Sequence, residues 1–252
     1  MIKLGLFTSV AVLALGGAAF AADVSSDGVV SVSAPSGFEG SYIGGHIGYG
    51  SGGVSDLGIL SLLGVIGGGL STGGPLTFSG LVVGGQAGYN FAIDNKFIVG
   101  VEGDASYTNQ NGSTVATSLG GGGATLTTTS TLNWTADLTA HAGYEIGQVM
   151  PYVLAGVAFA NNTYGLTAAA GGAVLGTTSA QQTHVGYTIG GGVSGMFTDQ
   201  LSGFVEARYS DYGIANYSLS GAAFGGGGGL GSINEPVSLT DTTIRTGLNF
   251  HF

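Results

Sequence analysis

The last eleven residues, Thr242-Thr-Ile-Arg-Thr-Gly-Leu-Asn-Phe-His-Phe252, alternate strictly in polarity. Ile244, Thr246, Leu248, Phe250 and Phe252 fall on one side, and Thr243, Arg245, Gly247, Asn249 and His251 on the other. A period of two is the repeat of a strand with one apolar and one polar face. The apolar side is carried to the aromatic Phe252 itself. Such a strand either packs on a second layer or closes a sheet in lipid, where an open edge cannot exist.

Composition decides between these two settings. Charged residues make up only 7% of the 252 residues, against roughly 25% in ordinary soluble domains. A soluble sandwich with its charges outside needs more than this. No apolar run reaches the ~18–20 residues of a membrane-spanning helix. The 52 glycines argue further against helix, since each interior Gly costs about 1 kcal/mol relative to Ala. Aromatic residues, at 10% and set in alternating patterns, exclude a disordered chain. A net charge of −10 with four Lys and Arg in total excludes nucleic acid as a partner. The absence of cysteine leaves no disulfide to hold the fold.

Residues 1–21 read as a secretory signal peptide. Lys3 gives the positive start, Leu4 to Leu15 the apolar core, and Ala19-Phe-Ala21 the small-x-small cleavage site. Residues 22–40 read as a flexible periplasmic lead-in, and residues 41–252 as one β domain.

That domain alternates between patterned and Gly/Ser/Thr-rich stretches. Eight patterned stretches stand out: 41–50, 81–91, 97–107, 132–144, 151–160, 185–197, 201–212 and 242–252. Each core has about the 9–11 residues that a tilted strand needs to cross a bilayer. Three connections are tight-turn compositions, at 93–96, 145–148 and 198–200. Four others read as long loops, at 51–80, 108–131, 161–184 and 213–237. Within them, Thr127 to Thr131 and Gly176 to Gln182 fit extended hairpin arms, and Gly225 to Gly229 a flexible tip. The fold expected is all-β: an eight-stranded antiparallel up-and-down transmembrane β-barrel with short periplasmic turns and four long extracellular loops.

The parity of the alternation then gives each residue a side. Ile43/Tyr49, Val83/Tyr89, Val99/Tyr107, Leu138/Tyr144, Val153/Phe159, Ile189/Phe197, Val205/Tyr209 and Leu248/Phe252 face outward. Aromatic residues gather into two belts, as they do at the two membrane interfaces. Phe91, Phe97, Tyr144, Phe197, Phe250 and Phe252 lie near the short turns. Tyr49, Tyr107, Trp134, Phe159, Tyr187 and Tyr209 lie near the long connections. The other face collects a polar network of Glu102, Asp104, Asp137, His141, Glu206, Arg208, Arg245 and His251, joined by His46 and Gln86. Arg245 is expected beside Glu206, and His141 near Glu102. Eight strands leave little free lumen, so the network is expected to plug the barrel rather than line an ion path.

Several pieces carry a resemblance: Tyr42-Ile-Gly-Gly-His-Ile-Gly-Tyr49, Gly85-Gln-Ala-Gly-Tyr-Asn90, Val99-Gly-Val-Glu-Gly-Asp104, Pro151-Tyr-Val-Leu-Ala-Gly-Val-Ala158, Glu206-Ala-Arg-Tyr-Ser-Asp-Tyr212 and Gly247-Leu-Asn-Phe-His-Phe252. In this order they resemble the small eight-stranded outer-membrane β-barrel proteins of α-proteobacteria, in the wider porin-like, OmpA- and opacity-protein-like superfamily. The resemblance implies an abundant Gram-negative envelope component that supports outer-membrane integrity. It also implies that Ile244, Leu248, Phe250 and Phe252 form a C-terminal signal read by the barrel-assembly machinery. One departure is clear. Where that family carries two arginines before the Gly-Tyr pair of its fourth strand, this chain has Thr139 and His141.

No catalytic or cofactor motif accompanies these features. Gly48-Tyr-Gly-Ser-Gly-Gly53 matches G-x-G-x-x-G, but no helix or acidic ribose partner follows it. His46, His141, His184 and His251 lack metal-ligand spacing, and nothing near His184 marks a catalytic base. The expectation is a non-enzymatic outer-membrane protein with a structural or surface role. Its expected partners are membrane lipid, lipopolysaccharide and the assembly machinery. A narrow passive channel, or an adhesin or receptor acting through its loops, are the alternatives. The stretch Leu57 to Leu70 is unusually apolar for an extracellular loop and is open to three readings: a hairpin extending the first strand above the membrane, a fold into the barrel mouth, or a contact with a partner or lipopolysaccharide.

Overall fold

The computed structural model describes residues 37–56, 70–71, 76–94, 96–118, 125–219 and 233–252. They form nine strands and no helix: β1 (Gly40–Asp56), β2 (Leu70–Ser71), β3 (Leu76–Ala92), β4 (Phe97–Ser118), β5 (Thr125–Tyr144), β6 (Val149–Ala170), β7 (Ala173–Met196), β8 (Leu201–Leu219) and β9 (Ile233–His251). β1 pairs with β3, β3 with β4, and each later strand with the next, all antiparallel. β9 returns to β1, with partners running from Tyr42↔His251 to Asp56↔Val237. The Phe252 amide also donates to the Ser41 carbonyl, at 3.0 Å. Eight strands therefore close into a ring, and the two-residue β2 hangs on the outer end of β4. The terminal alternation is the seam of a closed barrel, as its pattern required. The expected signal peptide (1–21), the lead-in through residue 36, the apolar stretch 57–69 and the glycine run 225–229 lie outside the described residues.

The three short turns are built by local chemistry. Asp94 accepts backbone hydrogen bonds from Lys96 and Phe97, at 2.9 and 2.8 Å. Those amides hold its exposed carboxyl below the usual carboxylate range. Thr198 Oγ1 does the same for the Leu201 amide, at 3.0 Å. Gly147 takes the left-handed φ of +68° that the β5–β6 turn needs.

Two of the four long loops, 108–131 and 161–184, are corrected by the structure, while residues 57–69, 72–75 and 220–232 of the other two lie outside the described residues. β4 and β5 run to Ser118 and from Thr125, and β6 and β7 are joined by only Gly171 and Gly172. The expected loop 161–184 is thus a two-residue hairpin, with φ of +58° and +84° at its two glycines. Strands reach well beyond the outer aromatic belt because the Thr-rich segments alternate as well. Leu126, Thr128, Ser130 and Leu132 point inward and are buried, while Thr127, Thr129 and Thr131 point outward. Thr has strong β-propensity, and the alternating faces fit a pleated wall better than a loop. Gly171→Val is expected to lower stability by about 1–3 kcal/mol, because a β-branched residue is strained at this φ. Urea unfolding midpoints measure it.

Near the top the wall divides. A bulge between Asp211 and Ile214 places Gly213 at φ +66°, and its amide donates to Asp211 Oδ1 at 2.9 Å. The β7–β8 ladder ends at Tyr187↔Asp211. Above it, β4–β7 form one arm and β8, β9, β1 and β3 the other. Between the arms lies an apolar cluster containing Val54, Phe78, Leu132, Tyr164, Tyr217 and Leu239.

Outward residues follow the expected parity. Every member of the outward set is exposed except Val99 and Phe159, which are half-buried. Both aromatic belts are present, with Phe252 73% exposed at one edge and Tyr107 68% at the other. Exposed apolar side chains in a continuous band around a closed barrel are the surface that lipid requires.

Candidate functional site: the filled lumen

Alternation sends Glu102 and Asp104 of β4, Asp137 of β5, Glu206 and Arg208 of β8 and Arg245 of β9 into the same inner layer, where all but the half-buried Asp137 are buried. Arg208 is its hub. One Nη1 reaches Asp104 at 2.6 Å and Asp137 at 3.2 Å, Nη2 reaches Glu102 at 2.8 Å, and Nε contacts Glu206. Arg245 contacts Glu206 at 2.8 Å, Asp104 at 3.2 Å and Glu102 at 3.3 Å. Register explains the need for such a clasp. Asp104 and Asp137 are direct cross-strand partners, and like charges placed so repel. Arg208 bonds both. Gly48 makes room beside Arg245, since a Cβ there would meet the arginine Cβ at 2.8 Å.

The structure thus brings together six of the eight residues expected in the network. The two histidines stand apart. His141 Nε2 pairs with Asn90 Oδ1 at 2.8 Å, because Thr139, two residues away, is the register partner of Glu102. His251 Nε2 pairs with Ser202 Oγ at 2.9 Å. Two tyrosines belong to the network and were missed. Tyr42 OH donates to Glu102 at 2.7 Å, and Tyr152 OH to Glu206 at 2.9 Å. The parity that placed Ile43 and Val153 outward already placed both inward. His46 joins Gln86 and Ser106, both at 2.9 Å, and its Nε2 lies 3.4 Å from Arg245 Nη1. Among the described residues no group of three or more His, Cys, Asp or Glu is arranged to hold a metal ion.

The lumen is closed in layers. Above the ions, Gln110 reaches across to Asp241 at 3.2 Å, and the apolar cluster of the arms lies beyond. Below them, Phe38 turns inward against Ile98 and Met150, held by a 2.7 Å bond from Asn90 Nδ2 to its carbonyl. Phe38 falls within the stretch expected to be a flexible lead-in, yet it is 2% exposed. Between this plug and the carboxylates lies a void of about 30 Å³, lined by Tyr42, Glu102, His141, Tyr152 and Glu206 among others. That is room for a water molecule or two.

The model of the outer membrane protein beta-barrel domain matches residues 7–252. The chain belongs to this outer-membrane β-barrel family. Its locale is accordingly the outer membrane of Gram-negative bacteria. Similar curated proteins include the 25 kDa outer-membrane immunogenic protein of Brucella abortus, 30% identical over 174 residues, covering 66% of this barrel protein and 63% of that one. The 22 kDa outer membrane protein of Rhizobium leguminosarum bv. viciae is 28% identical over 140 residues, covering 56% of each. The barrel thus spans less than two thirds of the length of these relatives. In fold it is similar to the outer membrane protease OmpT of Escherichia coli, with a TM-score of 0.50 at 8% identity over 85% of this chain and 97% of that one.

Proposed function

We propose that this outer-membrane barrel is a sealed structural element of the envelope, whose arms present a stiff outer surface, and that it is neither a channel nor an enzyme. The observation that carries the reading is the layered filling of the lumen. Phe38 stands at the periplasmic mouth, seven ion-pair contacts cross the middle, and an apolar cluster closes the outer end. A charge entering this path would have to displace buried, ion-paired groups, at several kcal/mol each. The non-enzymatic part rests on the histidines. His46, His141 and His251 are tied to amides or serines, and His184 Nε2 to Tyr217 OH at 2.8 Å. None is set beside an exposed nucleophile. In the same reading, Ile244, Leu248, Phe250 and Phe252 are the strand face that the assembly machinery recognises.

Planar-bilayer recording tests the sealed lumen. Protein whose folding is verified by its gel shift on boiling is expected to give no single-channel steps at either polarity. Reproducible unitary steps from that material would show the lumen to be open.

A further inference from the structure

The two arms differ in charge. No Asp, Glu, Lys or Arg occurs from Ala105 to Ala136 or from Ile146 to Thr198. The upper β4–β7 arm is therefore wholly uncharged. The facing arm includes Asp56, Asp211 and Glu235 in its sequence. On the outer face of the neutral arm, hydroxyl and amide side chains stand in register across four strands. Ser113, Thr129, Gly165 and Ser179 form one row, and Asn111, Thr131, Thr163 and Gln181 the next. Neighbours stand about 4.8 Å apart across the strands and roughly 6.8 Å along them. Gly165 itself is buried, because Thr129 Oγ1 leans over it and donates to its carbonyl at 3.4 Å, so the row presents the hydroxyls of Ser113, Thr129 and Ser179.

We infer that this face binds neutral sugars, and that its occupant is the saccharide portion of the lipopolysaccharide surrounding the barrel. Position argues first. The same four strands carry Tyr107, Trp134, Phe159 and Tyr187 of the outer belt immediately below. The array therefore continues the lipid interface into the layer where sugars begin. Charge argues second. With no cation the face cannot pair with lipid phosphates, whereas hydroxyls and amides that both donate and accept match sugar hydroxyls. They can exchange water for sugar without stripping a charge of solvent. The inference does not depend on whether the lumen conducts.

Amide hydrogen exchange of the full chain, folded into three kinds of vesicle, tests it. These are phospholipid alone, phospholipid with deep-rough lipopolysaccharide (phosphates but few sugars), and phospholipid with lipopolysaccharide carrying its complete saccharide. Exchange across residues 108–118, 125–133 and 161–183 is expected to slow about tenfold with the complete saccharide only. Thr129→Glu with Ser179→Glu is expected to abolish that slowing, and Asn216→Glu on the facing arm to leave it unchanged. Equal slowing by the deep-rough form would assign the effect to phosphate or acyl chains and overturn the proposal. So would no difference among the three vesicles, or equal behaviour of the two variants.

Discussion

Arg208→Ala is expected to destabilise the folded barrel by about 3–5 kcal/mol, the cost of breaking a buried ionic cluster from one side. The side chain contacts four carboxylates, those of Glu102, Asp104, Asp137 and Glu206. Its loss leaves Asp104 and Asp137 facing each other across the β4–β5 ladder with only Arg245 near Asp104. Arg245→Ala removes three contacts and is expected to fall in the same range. Lys96→Ala, in an exposed turn, is expected to change stability by less than about 0.5 kcal/mol. Reversible urea unfolding of the three variants in one lipid measures all of this. Equal midpoints would show that the lumen ions contribute nothing net. A second arm sharpens the result: Asp137→Asn placed on Arg208→Ala is expected to recover part of the loss, because it removes one of the repelling charges.

Tyr217→Ala is the second large expected effect, about 3–5 kcal/mol, as for other big aromatic truncations in cores. Tyr217 is fully buried in the apolar cluster between the arms. Its hydroxyl receives a bond from Asn162 Nδ2 at 3.2 Å and pairs with His184 at 2.8 Å. Truncation leaves a cavity and unsatisfies both partners. The damage is expected to be local, since the ion layer below shares no contact with this ring. Surface protease on intact cells should then cut the β8–β9 arm while the membrane-embedded wall stays resistant. Uniform sensitivity along the chain would mean that the arms and the wall are one cooperative unit.

The membrane-embedded wall was legible because lipid imposes a strict rule. Each outward position must be apolar and each inward one must find a partner, so one parity choice at Ile43 or Leu248 propagates around the ring. The ion layer followed from the same parity, down to the neighbouring of Arg245 and Glu206. What escaped lay where that rule ends. Above the outer belt many of the outward residues are threonines, serines and amides, and a Thr/Gly-rich stretch such as 161–184 reads as loop by composition. Its inward members, Tyr164, Leu166 and Ala168, held the strand signal, at the same period of two. His141 shares the inward parity but bonds Asn90 rather than a carboxylate. Side-chain reach across a lumen depends on the height of each partner, and Asn90 on β3 lies closer than the carboxylates on its own neighbour. Phe38 precedes the first alternating stretch, so no periodicity points to it.

The apolar cluster between the arms has a consequence for how the molecule is built. Its residues come from β1, β3, β5, β6, β8 and β9, and most of them, Val54, Phe78, Tyr164, Tyr217 and Leu239 among them, lie toward the far end of the wall. The cluster is complete only when all six strands have delivered their tips through the bilayer. The outermost part of the protein is therefore the last to consolidate. A chain halted midway through insertion would show the cell exterior loose, threonine-rich hairpins with their tyrosines uncovered.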